Sequence, residues 1–328
     1  MSPGAQAEQA LRASVAQAAP LAAARLESLQ LPDGSWFAET DADSLALVDS
    51  ALPLPAGAAL PLKHRLAALW RRRSPEPLPV PAAQSRPSPA FGAALAVHAL
   101  GRANQPAARC LLASDLRGLS CGETAIALLA LSCVGDTEPA ASCARPLLHA
   151  MRSMQRKDGG WLSPGATGLA MEALCRWGAE PDDQALRRGV GYLRESQHSE
   201  GRWHARSGVG YVCGAYLALR GLRAAGVDDR EAEVLRGGEW LRSVQNADGG
   251  WGENCDASSP PAFVEAPSAA THTAWALLGL MAGGDSTSES VRRGLEFLVR
   301  TQLPAGGLFP VAFVAMALAE YLKLKGAA

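Results

Sequence analysis

Four copies of the heptad Gln-x-x-[Asp/Glu]-Gly-x-Trp punctuate the sequence: QLPDGSW from Gln30, QRKDGGW from Gln155, QHSEGRW from Gln197 and QNADGGW from Gln245. A worn fifth copy, QLPAGGL, starts at Gln302. Recurrence at related spacing means that one supersecondary unit is reused and that each unit buries its apolar face only against its neighbours. Each of the last four copies follows a stretch whose apolar residues return every three or four positions, such as RRGVGYLRESQ and VRRGLEFLVRTQ, as an amphipathic helix requires. The heptads therefore stand at helix ends. Asp-Gly or Glu-Gly permits a positive-φ turn that stops the helix, the Gln amide satisfies loose backbone groups, and the Trp pins the turn onto a neighbouring repeat.

Composition narrows the fold further. A chain of 328 residues that is 48% hydrophobic, with Gly and Pro as punctuation and no β-type alternation, has ample core for one all-α domain over residues 1–328. About a dozen helices are expected, closing into an α/α barrel (an α6/α6 toroid) rather than an open solenoid. The stretch 75–90, SPEPLPVPAAQSRPSP, is too rich in proline for a regular element and reads as a loop or linker. A net charge of −1 gives no electrostatic case for nucleic acid or an anionic membrane. No apolar run approaches the roughly 18 residues of a membrane span, and the first twenty residues lack the pattern of a signal peptide. The expected location is cytoplasmic, with room for a peripheral membrane association. The seven cysteines, at 110, 121, 133, 143, 175, 213 and 255, are odd in number and mostly within helical stretches; they read as reduced core residues.

The heptads match the QW motifs of the terpenoid cyclase and prenyltransferase superfamily. From Gln155 to Gly284 the chain resembles the catalytic domain of squalene-hopene cyclases, in SVQNADGGWGENC, then SAATHTAWALLGLMAGG, with VRRGLEFLVRTQ following. LESLQLPDGSWFAETDAD resembles that family's N-terminal repeat. Enzymes of the family are about twice as long because they carry a second barrel, and this chain has room for one. In two-barrel relatives the second barrel follows the first helix of the catalytic one, so a chain lacking it would rejoin its ends between Leu52 and Pro89.

The resemblance implies an acid that this chain does not have. Family members protonate a carbon–carbon double bond or an epoxide with the middle Asp of a D-x-D-D-T-A motif at a helix start, sharpened by a nearby His and by hydrogen bonds. Setting Thr124 and Ala125 on the motif's T-A places Ser120, Cys121, Gly122 and Glu123 on D-x-D-D, with glycine at the donor. The partner His and its preceding Asp lie in a D-V-T-A-H-V-L-E segment that GATGLAMEAL resembles; Leu169 and Gly165 stand in those places. The loop that brings polar groups to the cavity is cut to Leu162–Pro164. Family cavities are crowded with aromatic faces that steady carbocations, whereas this chain is 5% aromatic. Ser207 matches a cavity Trp and Cys213 a following Tyr, and the C-terminal aromatic cluster shrinks to GGLFPVAFVAMALAEYL.

Two polar groups are candidates to replace the acid. Glu123 opens a helix, where a carboxylate is favoured; it is either the relocated acid or a cap for the turn. His272, in THTAWALLGL, is a polar group at the inner mouth, an ordinary helix residue or a metal ligand. The last reading follows a resemblance to protein prenyltransferase β subunits, whose D-x-C pair would fall near Gly210 and Val212, where no ligand exists. No cofactor and no metal are expected. Ser120, Gly122, Thr124, Leu169, Ser207, Tyr211, Cys213 and Trp275 are the expected pocket residues. Asp41 and Asp43 read as caps of a helix near Ser44, and Glu253, Cys255 and Asp256 as a loop that either borders the entrance or is solvated. Arg71 to Arg73 read as solvated helix ends.

Two functions follow. The first is a noncanonical cyclase-like enzyme that cyclises or isomerises an isoprenoid or similarly apolar small molecule with a weaker acid. The second is a degenerate barrel that binds a lipidic intermediate or a partner protein without turnover. The enzyme is preferred, because decay without function would erode the fold as well. A zinc-dependent prenyltransferase is disfavoured by the incomplete ligand set. No D-D-x-x-D segment is present to bind a diphosphate through magnesium, and the oligomeric state stays open.

Overall fold

A computed structural model describes residues 3–36, 89–135, 137–205, 210–254, 263–301 and 307–326. Asp41, Asp43, Arg71 to Arg73, Ser207, Cys255, Asp256 and all but the end of the proline-rich stretch lie outside the described residues. Within them the secondary structure is helical: α1 (Pro3–Ser28), α2 (Pro89–Leu100), α3 (Gln105–Ala113), α4 (Cys121–Val134), α5 (Glu138–Ser153), α6 (Pro164–Arg176), α7 (Gln184–Ser196), α8 (Tyr211–Ala224), α9 (Ala232–Ser243), α10 (Ala270–Ala282), α11 (Glu289–Arg300) and α12 (Leu308–Leu324).

The even-numbered helices form a closed inner ring. Each packs on the next, α2 on α4, α4 on α6, α6 on α8, α8 on α10, α10 on α12, and α12 back on α2. The odd-numbered helices lie outside, and α1 completes the outer layer against α12 and α11. Sequence dictates this sorting. Inner helices such as ATHTAWALLGLMA are apolar all round, whereas outer helices such as ESVRRGLEFLVR carry one apolar stripe. No helix among the described residues is long and apolar enough to cross a membrane.

The QW turn repeats one set of bonds. The indole N–H of Trp36, Trp161, Trp203 and Trp251 donates to the carbonyl ten residues earlier, on Leu26, Met151, Leu193 and Leu241, at 2.7–2.8 Å. Those carbonyls belong to the last turn of the preceding outer helix, where no intrahelical donor is left. The amide of Gln155 donates back to Gly159 O and across to Ala185 O at the start of the next outer helix. Gln197 and Gln245 do the same to Glu233 O and Ser290 O. Gly159, with φ +92, supplies the turn, and a Cβ there would stand 2.4 Å from Arg188 O. Three of the four Trp then lie against a glycine inside the next outer helix: added Cβ atoms on Gly189, Gly237 and Gly294 would meet the rings of Trp161, Trp203 and Trp251.

The chain closes up at its first repeat. A Cβ on Gly92 would stand 2.2 Å from the Trp36 carbonyl oxygen, so the described chain resumes at α2 in contact with the point where it stops. The cysteines among the described residues, Cys110, Cys121, Cys133, Cys143, Cys175 and Cys213, are free thiols.

Gly159→Ala is expected to lower stability by at least about 2 kcal/mol, since it combines a left-handed backbone with a clash against Arg188 O. Gly178→Ala, with φ +85 but nothing within 4 Å of the added carbon, should cost only about 1 kcal/mol. Urea midpoints of the two variants measure the difference.

Candidate functional site

The inner helices all run the same way, so their N-termini gather at the end of the barrel where the QW turns lie. At α4, Ser120 is the N-cap and Glu123 completes a capping box. The Glu123 carboxylate accepts from the Ser120 N–H at 3.1 Å and from the Ser120 hydroxyl at 2.6 Å. Thr124 donates to the Ser120 carbonyl at 2.7 Å, and Gly122 is buried between them. The place that matches the family's donor motif is thus a self-contained helix cap.

On the neighbouring inner helix the place of the partner residues is full. Leu169 is buried in α6, and a Cβ on Gly165 would meet Ala205 Cα at 3.0 Å and Leu217 Cδ1 at 3.2 Å. Gly168 and Gly221 let α6 and α8 touch backbone to backbone; a Cβ on Gly221 would stand 2.4 Å from Gly168 Cα. At α8 the N-cap is Gly210, which has no side chain to offer, and Glu253 replaces it from the loop after the fourth QW turn. Its two oxygens accept from Tyr211 N–H and Val212 N–H at 2.8 and 2.9 Å. Burial raises its pKa, opposed by those two N–H groups. Glu253 is therefore a buried cap and not part of a solvated loop. Tyr211 lies under the Arg202 guanidinium, 4.8 Å from the ring centroid, and Cys213 is fully buried. Ser207 lies outside the described residues.

His272 and Trp275 stand one turn apart on α10, both buried, with ring centroids 5.2 Å apart. They begin a chain of aromatic contacts through the lumen. Trp275 meets Phe313 edge-on at 5.5 Å, Tyr216 meets Phe313 at 6.1 Å, Phe313 meets Phe309 at 6.3 Å, and Phe309 meets Phe91 at 6.0 Å. Tyr216 belongs to α8 and Phe313 to α12, with α10 between them in the ring, so that pair meets across the lumen. The low aromatic content led to an expectation of few π faces; the rings present are instead concentrated where four inner helices converge.

Below the rings, at the ninth or tenth residue of their helices, three charged or titratable side chains share one level: His98 of α2, Glu172 of α6 and Arg220 of α8. Arg220 grips Glu172 with two hydrogen bonds, the Nε one at 3.0 Å. Burial works to raise the Glu172 pKa, but the Arg220 charge outweighs it and holds the carboxylate ionised below its usual range. Loss of solvation, partly offset by Glu172, pushes half-buried His98 down to about 4. Glu172 is thus an anion at neutral pH and His98 a neutral imidazole, the reverse of a poised acid. Glu172 was legible as a lone charge in the apolar run GLAMEAL, and Arg220 in YLALRGL; charges on a buried face imply a partner. The sequence reading passed over both, together with His98, Tyr216 and the phenylalanines.

Cavities bounded by described residues include the following two. One of about 110 Å³ lies beside Trp36 and Asn104, and one of about 170 Å³ between the start of α1 and the start of α11. Both lie at the outer layer and not in the lumen. Among the described residues no group of three His, Cys, Asp or Glu side chains is arranged to hold a metal ion.

Comparison with known proteins places this geometry. The squalene-hopene cyclase C-terminal domain family matches residues 162–325, half of the chain. The squalene-hopene cyclase of Bradyrhizobium diazoefficiens is 44% identical over 122 residues, covering 36% of this chain and 18% of the relative. That of Zymomonas mobilis is 36% identical over 151 residues, covering 43% and 23%. The matched stretch therefore spans less than a quarter of the length of these relatives. Among solved structures, a variant of the type II terpene cyclase MstE from Scytonema, in complex with merosterolic acid A, superposes with a TM-score of 0.56 at 16% identity, covering 95% of this chain and 98% of that one. The ent-copalyl diphosphate synthase of Streptomyces platensis gives 0.54 at 20% identity, covering 94% and 68%. At such identities the agreement is one of fold.

The Glu172–Arg220 pair sets a stability prediction. Glu172→Gln strands a buried guanidinium and should cost about 3–5 kcal/mol, whereas Glu172→Leu with Arg220→Met should lie near the wild type. Both Glu172 and His98 have lowered pKa values, so the unfolded chain binds more protons and stability drops as pH falls. The His98 contribution is complete above pH 6.5 and is lost as pH falls toward about 4; that of Glu172 is lost below 4.5. Thermal midpoints against pH should show the first loss in the wild type and not in His98→Gln.

Proposed function

The chain belongs to the squalene-hopene cyclase C-terminal domain family, and from that premise we propose that it is a noncanonical terpenoid cyclase-like enzyme. It acts on an isoprenoid or similarly apolar small molecule, by cyclisation or isomerisation, without the family's aspartate donor. The observation that carries this reading is the aromatic array through the lumen, from Phe91 through Phe309 and Phe313 to Trp275, His272 and Tyr216. Such faces bind polyene chains by burial and favour a cation by about 0.5–2 kcal/mol each when water is excluded.

Of the two candidate acids, the geometry favours His272. It is buried at the edge of Trp275 within the array, whereas the Glu123 oxygens are engaged by Ser120. An imidazolium is a far weaker acid than a sharpened aspartic acid, so the substrate suited to it carries an activated group and not an isolated double bond. The second reading is a barrel that binds without turnover. It is favoured by one observation, that the matched donor place is occupied by a completed helix cap with glycine at its centre.

Incubation with linear isoprenoids and terpene-tailed aromatics separates the two. The enzyme reading predicts product from the wild type, at least about 100-fold less from His272→Ala and nearly unchanged amounts from Glu123→Gln. Binding without product from any of them would establish the second reading, and absence of binding would reject both.

A further inference from the structure

At mid-lumen the protein presents hydrogen-bond donors without acceptors. Trp275 is fully buried, and its Nε1–H has no hydrogen-bond partner among the described residues. Tyr216 is 3% exposed; its hydroxyl, with no hydrogen bond to a described residue, keeps a little accessible surface. Both rings rest on Phe313, with centroids at 5.5 and 6.1 Å. Each is the sixth residue of its helix, as Phe313 is of α12, so the two donors share a level. Leaving the buried Trp275 N–H unpaired forfeits its hydration. A pure hydrocarbon ligand would leave that cost in place.

The charges nearby decide what kind of acceptor fits. Beneath Tyr216 the Arg220 guanidinium is matched by Glu172, with Glu320 as a further negative charge acting on both Arg220 and Tyr216. His98 is held neutral. Apart from His272, the proposed acid, no uncompensated positive charge is found at this level among the described residues, and an anion would enter a low-dielectric site against the Glu172 carboxylate. A neutral oxygen needs no counter-charge.

We infer that the lumen holds its isoprenoid by a neutral oxygen function, a hydroxyl, ether or carbonyl, that accepts hydrogen bonds from Trp275 Nε1–H and Tyr216 Oη–H. This rests on the proposal that the lumen binds an isoprenoid, and it adds which isoprenoids and which atoms. It also agrees with a weak acid, because an oxygen is protonated much more readily than an alkene.

Equilibrium dialysis of the full chain with farnesol, β-farnesene and farnesoic acid tests it, since the three share a prenyl skeleton and differ in the polar group. Farnesol should bind about five- to tenfold more tightly than β-farnesene, and farnesoic acid at pH 8 no more tightly than farnesol. Tyr216→Phe and Trp275→Phe should each bring the ratio of the β-farnesene Kd to the farnesol Kd most of the way to one, whatever either change does to the binding of both ligands through lost ring area. Equal binding of farnesol and β-farnesene, or a gap that survives in both variants, overturns the oxygen subsite and leaves the isoprenoid reading standing. Tightest binding of farnesoic acid overturns the neutral class. If none of the three binds, this inference falls together with the reading beneath it.

Discussion

One hydrogen bond, from the tryptophan indole to the carbonyl ten residues before it, makes the barrel possible. Helix ends leave carbonyls without donors, and the twelve helices among the described residues multiply that problem at every turn. Here the indole that satisfies one such carbonyl also fills the space over a glycine in the next outer helix, while the Gln amide ties that helix's first turn to the same loop. One heptad thus closes a helix, sets the reversal and docks the neighbouring repeat. The four Trp rings are at most 1% exposed, so each contributes both burial and a bond that water cannot replace.

A frame stapled from outside leaves the inner faces of the inner helices free to change. We propose that the upper lumen lost the family's acid by substitution and also by filling. The glycine contacts between α6 and α8 bring backbones together where a donor's partners would stand, and the Ser120–Glu123 cap takes the only carboxylate at the matched motif. Lower down the lumen is aromatic and then polar, ending in an ion pair whose members neutralise each other. On the proposed reading the chemistry lies deeper than the matched acid motif, around Trp275, Tyr216 and Phe313.

Much of the fold was legible because the QW heptad encodes its own geometry: Asp-Gly for the positive φ, Gln and Trp for the bonds. The alternation of outer and inner helices could be read from stripes against all-round apolar segments. The glycines at 189, 237 and 294 were also visible, sitting mid-helix where glycine costs stability, yet their purpose needs the Trp of another repeat to be in view. The site was less legible. Glu123 and His272 stand out by residue type, but only the cap geometry distinguishes an engaged carboxylate from a free one. The Glu172–Arg220–His98 level joins helices far apart in sequence, and no local pattern announces that they face one lumen. The aromatic content misled because a percentage does not say whether rings are scattered or gathered.

The central claim is that this barrel keeps a working lumen after giving up its strong acid. The most direct measurement is a crystal structure of the protein soaked with farnesol. The account predicts the chain along Phe309, Phe313 and Trp275, with the hydroxyl oxygen within hydrogen-bond distance of Trp275 Nε1 and Tyr216 Oη. Farnesol seated only in the outer-layer cavities, with the lumen side chains unmoved, would contradict it.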